Sequence, residues 1–117
     1  MLKITSLAIV MVLAGVSSGL ASEACLAPSV PELPSNGAVI TYEQLNHSAS
    51  MVAVFSKENT AYKTCLDHII TAPGDHSRSR WREALESYNQ SIPTENAIWA
   101  AYEKLSRDWV EANQANK

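Results

Sequence analysis

Residues 41–70 read TYEQLNHSASMVAVFSKENTAYKTCLDHII, and the spacing within this stretch decides the fold. Leu45, Ser48, Val52, Phe55, Asn59, Tyr62, Leu66 and Ile69 recur at alternating steps of three and four residues. That is one stripe of an α-helix with a 3.5-residue repeat, the pattern of a helix packed lengthwise against a partner. Met51, Ala61, Cys65 and Ile70 broaden the stripe, whereas Lys57, Glu58, Lys63 and Asp67 lie mostly off it. Thr41 followed by Gln44 three residues later fits a capping box, in which each side chain satisfies the other residue's backbone N–H at the helix start. Ala72-Pro73-Gly74 ends the helix, because proline can neither donate to the helical ladder nor follow a helical residue comfortably.

Downstream, Asp75 or Ser77 can cap a second helix. Trp81, Leu85, Tyr88 and Ile92 resume the four- and three-residue steps, Pro93 interrupts them, and Ile98, Tyr102, Leu105, Trp109 and Ala112 take them up again, with Trp99 and Ala101 alongside. Either one long helix kinks at Pro93 or two helices meet there, and Glu95 suits a fresh N-terminus. The expectation is a kinked or briefly broken helix from 78 to about 112, followed by a frayed tail over 113–117. A full break would let the last segment fold back as a third helix. No strand-like alternation occurs, so the class is all-α, with a helical hairpin domain over 41–117.

Upstream, residues 22–40 contain Pro28, Pro31 and Pro34 within seven residues, which excludes a helix and predicts an extended strap ending in a turn at Asn36-Gly37. Residues 1–21 have the layout of a secretory signal peptide. Lys3 precedes an apolar run from Ser6 to Val16, and small residues then allow cleavage after Ala21 or Ala24. Export carries the two cysteines, Cys25 and Cys65, into an oxidising compartment where a disulfide is expected. In the chain-entropy model a bridge closing a loop of about 41 residues is worth about 4 kcal/mol at most. The strap from Leu26 to Ile40 spans at most ~50 Å and the helix from Thr41 to Cys65 rises ~36 Å, so the bridge closes without distortion. Lipidation of Cys25 is the competing reading. Ser22-Glu23-Ala24 lacks the aliphatic residue such a signal carries, and acylation would strand Cys65.

Composition excludes some functions. Lys3 leaves with the leader, so eight of the nine Lys and Arg residues remain against twelve Asp and Glu. This acidic balance disfavours nucleic acid as a partner, and no second segment has the apolar length to span a membrane. His47 and Met51, at i and i+4, could offer two ligands to copper or zinc, with His68 or His76 in addition, but a metal site needs three or four converging donors. Histidines near helix ends are more often solvated. No catalytic frame or cofactor motif is present, and a 40-residue cysteine spacing is structural rather than redox-active. Glu83 and Glu86, or Asp67 and Asp75, read as solvated carboxylates on exposed helix faces. Arg78, Arg80 and Arg82 cluster at the positive end of the second helix. They mark either an acidic contact or residues neutralised in place, Arg80 by Glu83 and Arg82 by Glu86. Asn46-His47-Ser48 and Asn89-Gln90-Ser91 match the glycosylation sequon, which matters only in a eukaryotic source. Trp81, Trp99 and Trp109 are either core or a contact surface for a partner.

Cys25-Leu26-Ala27-Pro28 and Tyr62-Lys63-Thr64-Cys65-Leu66, with the turn at Gly37 and the aromatic-rich second helix carrying Tyr88-Asn89, resemble a group of small exported proteins of Gram-negative bacteria without known activity. The resemblance implies a periplasmic location and carries over no catalytic residue. Pro93 departs from the continuous second helix that it implies. The functional expectation is a non-enzymatic structural or partner-binding protein, periplasmic or secreted, whose partner is a second copy or an envelope protein. The alternative is a small metal-binding protein using His47 and Met51.

Overall fold

The computed structural model describes residues 25–114; the proposed signal peptide over 1–21 lies outside them. Two helices dominate, α1 (Tyr42–Ile70) and α2 (Arg78–Gln114). The capping box forms with both of its bonds: the Gln44 N–H donates to Thr41 Oγ1 at 3.1 Å, and the Thr41 N–H donates to Gln44 Oε1 at 2.8 Å. Thr71 closes α1 by donating its N–H to the Asp67 carbonyl at 2.9 Å. A 3-10 turn, Pro73–Asp75, follows. Of the two candidate caps for α2, Ser77 serves: its Oγ accepts from the Arg80 N–H at 3.1 Å.

The helices pack antiparallel. Trp81 Nε1 donates to the Ile70 carbonyl at 3.0 Å beside the turn, Trp99 Nε1 to Ser56 Oγ at 2.9 Å further along, and the rings of Trp109 and Tyr42 meet at 5.5 Å at the open end. On α1 the buried residues are Leu45, Ser48, Val52, Phe55, Asn59, Leu66 and Ile69, with Tyr62 half-buried between them. The stripe read from sequence is the seam.

On α2 the seam differs from the sequence reading. The helix is continuous through Pro93 and reaches Gln114, so the alternatives of two helices or a third folded-back segment do not occur. From Trp81 through Ala84, Tyr88, Ser91, Glu95 and Ile98 to Tyr102, Leu105, Trp109 and Ala112, an unbroken three-four alternation is buried or half-buried throughout. The apolar residues Leu85 and Ile92 stand one step off this frame, and Ile92 is 42% exposed. Pro93 is tolerated because its ring lies on the exposed side while Ser91 and Glu95, on either side of it, are held to α1. Its missing N–H leaves one carbonyl four residues back without a ladder donor, and a proline inside a helix costs about 3 kcal/mol. Contacts made by α2 before and after Pro93 offset that cost.

The middle of the seam is polar. Asn59 is 2% exposed, and its Nδ2 donates to the Ser91 carbonyl at 3.3 Å and to Glu95 Oε2 at 3.4 Å. Lys63 pairs with the same Glu95 carboxylate at 3.6 Å. A buried polar residue at a seam position fixes register, because sliding either helix would strand its amide. Apolar residues close the turn end of the seam. There Leu66, Ile69 and Ala84 form a buried cluster with Cys25, Tyr62, Ile70 and Tyr88 against it.

The strap closes one flank of this seam. Cys25 is bonded to Cys65, with Cα atoms 5.6 Å apart. The chain then runs extended to Asn36, whose Oδ1 accepts from the Ala38 N–H at 3.0 Å and caps a 3-10 turn, Gly37–Val39. The strap therefore starts on α1 near the turn and ends on α2 near its C-terminus. Gly37 is buried there and has no positive φ; it is needed for room rather than for conformation. A Cβ at this position would overlap the Leu105 carbonyl oxygen and lie 2.9 Å from Asp108 Cβ, so helix backbone would have to move. Gly37→Val is expected to lower stability by about 2 kcal/mol or more. Urea unfolding of the oxidised protein checks this; an unchanged midpoint would mean that the turn does not dock on α2.

Candidate functional site

Ile92, Trp99 and Val110 are spaced by seven and eleven residues, close to whole helical turns, and so share one side of α2. They are 42%, 42% and 39% exposed. With Ser91 and Ile98 on the seam, this side is the flank opposite Ser87 and Thr94, which lie beside the strap. The strap therefore leaves it uncovered. Of the three, Trp99 is held by a hydrogen bond and a ring contact. Its indole N–H is satisfied by Ser56, and its ring meets Tyr102 edge-on at 6.3 Å and 83°. What it presents outward is aromatic surface with its polar atom already bonded within the chain. Such a surface suits an apolar protein contact better than recognition of a polar small molecule.

The other two tryptophans proposed as partner contacts are placed differently. Trp81 and Trp109 are half-buried and engaged within the hairpin, Trp81 with the Ile70 carbonyl and Trp109 with the Tyr42 ring. Trp99 is the exposed member of the set. The sequence reading could not separate the three, because all are aromatic residues near an apolar stripe. The signal that does so is the frame: Trp81 and Trp109 fall on the three-four alternation and Trp99 one step beside it.

The remaining candidates stay dispersed. His47 and His68 are exposed and His76 is half-buried; among the described residues no group of three His, Cys, Asp or Glu side chains comes together. His47 and Met51 share a face of α1, where the arrangement offers two donors at most. Cys25 and Cys65 are both in the disulfide, which leaves Cys25 no thiol for acylation. Glu83 does not neutralise Arg80, and Glu86 does not neutralise Arg82; the ion pairs among the described residues are Lys63–Glu95 and Lys104–Asp108. The Arg80 Nε is buried without a hydrogen-bond partner. Asn46 and Asn89 of the two sequons are exposed, but their serines, Ser48 and Ser91, are buried in the seam. Among the described residues no helix is long and apolar enough to cross a membrane. No family model, curated protein or solved structure matches the chain.

Proposed function

We propose that this chain is an exported, non-enzymatic helical protein of the bacterial periplasm that works by binding another protein through the flank of α2 centred on Trp99. The observation that carries the reading is an exposed tryptophan whose N–H is already bonded to Ser56, flanked along the same side by exposed Ile92 and Val110. Aromatic residues with fixed geometry and apolar outward surface concentrate binding energy at protein contacts. Export is supported by the disulfide, which an oxidising compartment maintains, and by the leader-like residues at the start of the chain. The partner is an envelope protein or a second copy of the chain, offering a complementary apolar helix face.

A photo-crosslinker at Asn96 tests this in intact cells, with one at Glu58 on the strap flank as control. Asn96 is exposed and lies between Ile92 and Trp99 on the same side of α2, four residues after the first and three before the second. The Asn96 probe is expected to give one discrete adduct and the Glu58 probe none. Trp99→Arg should abolish the adduct at a stability cost of about 1–2 kcal/mol from losing the Ser56 bond and the Tyr102 contact, and Ile92→Arg, on the same side and without a hydrogen bond to lose, should abolish it at less than about 1 kcal/mol. A protein that gives no Asn96 adduct in cells and sediments as a monomer at every concentration would end the proposal.

A further inference from the structure

Asn36 is the one asparagine of the chain that a glycine follows. An asparagine side chain carries an electrophile, the Cγ carboxamide, within reach of the next residue's backbone nitrogen. A side chain on that next residue hinders the attack, and Gly37 has none. Asn46, Asn59, Asn89, Asn96 and Asn113 precede larger residues and lie within α1 or α2, where the helical hydrogen bonds hold the backbone. Asn36 is exposed, so water reaches it.

The docked turn holds this chemistry back. Attack on Cγ closes a five-membered ring, so the Gly37 nitrogen must lie on the same side as Asn36 Cβ. At the observed ψ of 101° it lies nearly opposite. Bringing it round turns the 36–37 peptide through more than a right angle. Gly37 is buried against Leu105 and Asp108 of α2 with no room for a Cβ, so that rotation lifts it out of its slot. It also breaks the bond in which Asn36 Oδ1 accepts from the Ala38 N–H.

We propose that Asn36 is a site of spontaneous deamidation that docking of the turn suppresses, and that the isoaspartate formed there keeps the strap from seating again on α2. The Gly37 nitrogen, its proton lost to hydroxide, bonds to Asn36 Cγ. The Cγ–Nδ2 bond breaks, and Nδ2 takes a proton from water and leaves as ammonia. A second water opens the cyclic imide. Opening at Cγ gives aspartate at position 36; opening at the main-chain carbonyl gives isoaspartate, whose backbone runs through Cβ and is one carbon longer. Aspartate keeps an oxygen for the Ala38 N–H. The longer backbone of isoaspartate displaces Gly37 from a slot with no slack.

The test ages the exported, oxidised protein beside the same protein reduced with dithiothreitol, at mildly alkaline pH. Peptide mapping by mass spectrometry locates the conversion and separates aspartate from isoaspartate. A reaction of the opened form tracks that form's population, so the reduced chain, its strap released, is expected to convert at Asn36 roughly tenfold or more faster. The rate should rise with pH, because the attacking nitrogen must lose its proton. Aged, reoxidised protein supplies both products. Nuclear Overhauser effects between the Gly37 α-protons and the Asp108 β-protons should persist in the aspartate form and vanish in the isoaspartate form. Equal rates in the oxidised and reduced chains, conversion at another asparagine before Asn36, or an isoaspartate form that keeps the Gly37–Asp108 peaks would each overturn the proposal.

Discussion

Reducing the Cys25–Cys65 bond, or replacing both residues with serine, is expected to cost about 4 kcal/mol and lower Tm by roughly 15–30 °C. The loop it closes is long, with a sequence separation of 40, so the unfolded chain gains much freedom when the bond is cut. The folded state loses as well. Cys25 packs against the Leu66–Ile69–Ala84 cluster, and the strap it anchors covers one flank of the seam. A two-helix hairpin buries little apolar surface for its length, so one cross-link is a large share of the total. Calorimetry with and without dithiothreitol reads the effect. A Tm that falls by less than about 5 °C would mean that the strap contributes little beyond its own ordering.

Pro93→Ala is expected to act in the opposite direction and raise stability by about 2–3 kcal/mol, or Tm by roughly 10–20 °C. Pro93 is exposed and lies inside α2, where its ring crowds the preceding turn and its missing N–H breaks the ladder. Alanine restores the donor at a site where no side-chain contact has to be rebuilt. Part of the gain is cancelled in the unfolded chain, which proline stiffens. Helical content should be unchanged by circular dichroism, because α2 is already continuous. A drop in stability would show that Pro93 shapes the packing of Ser91 and Glu95 against Asn59 rather than merely surviving there.

The two helices were unequally legible. On α1 the seam carries Leu45, Val52, Phe55, Leu66 and Ile69, whose apolar character announces the frame, and Ser48 and Asn59 fall in step with them. On α2 the centre of the seam is Ala84, Ser91 and Glu95, which are small or polar, while the conspicuous Leu85 and Ile92 are one step away. Hydrophobicity therefore drew the stripe onto the wrong side just before Pro93, and the proline then suggested a break. The frame continues because the partner face on α1 is also polar there, with Asn59 bonding to Ser91 and Glu95. Such matching is a property of two segments 32 and 36 residues apart and is invisible in either one alone. The turn at Asn36-Gly37 was readable, but the reason for the glycine, the approach of α2 at Leu105, was not. Likewise Trp99 could be told from Trp81 and Trp109 only once the frame was known.

The central claim is that α2 runs unbroken past Pro93, so that its far end lies against the start of α1. Nuclear Overhauser effects between the Tyr42 and Trp109 rings of the oxidised protein test it most directly, since the centroids are 5.5 Å apart. Strong cross-peaks between those rings, alongside continuous helical contacts through residues 90–96, are the predicted result. Absence of the Tyr42–Trp109 peaks, with Trp109 instead near residues on the first half of α2, would contradict the hairpin and the site built on it.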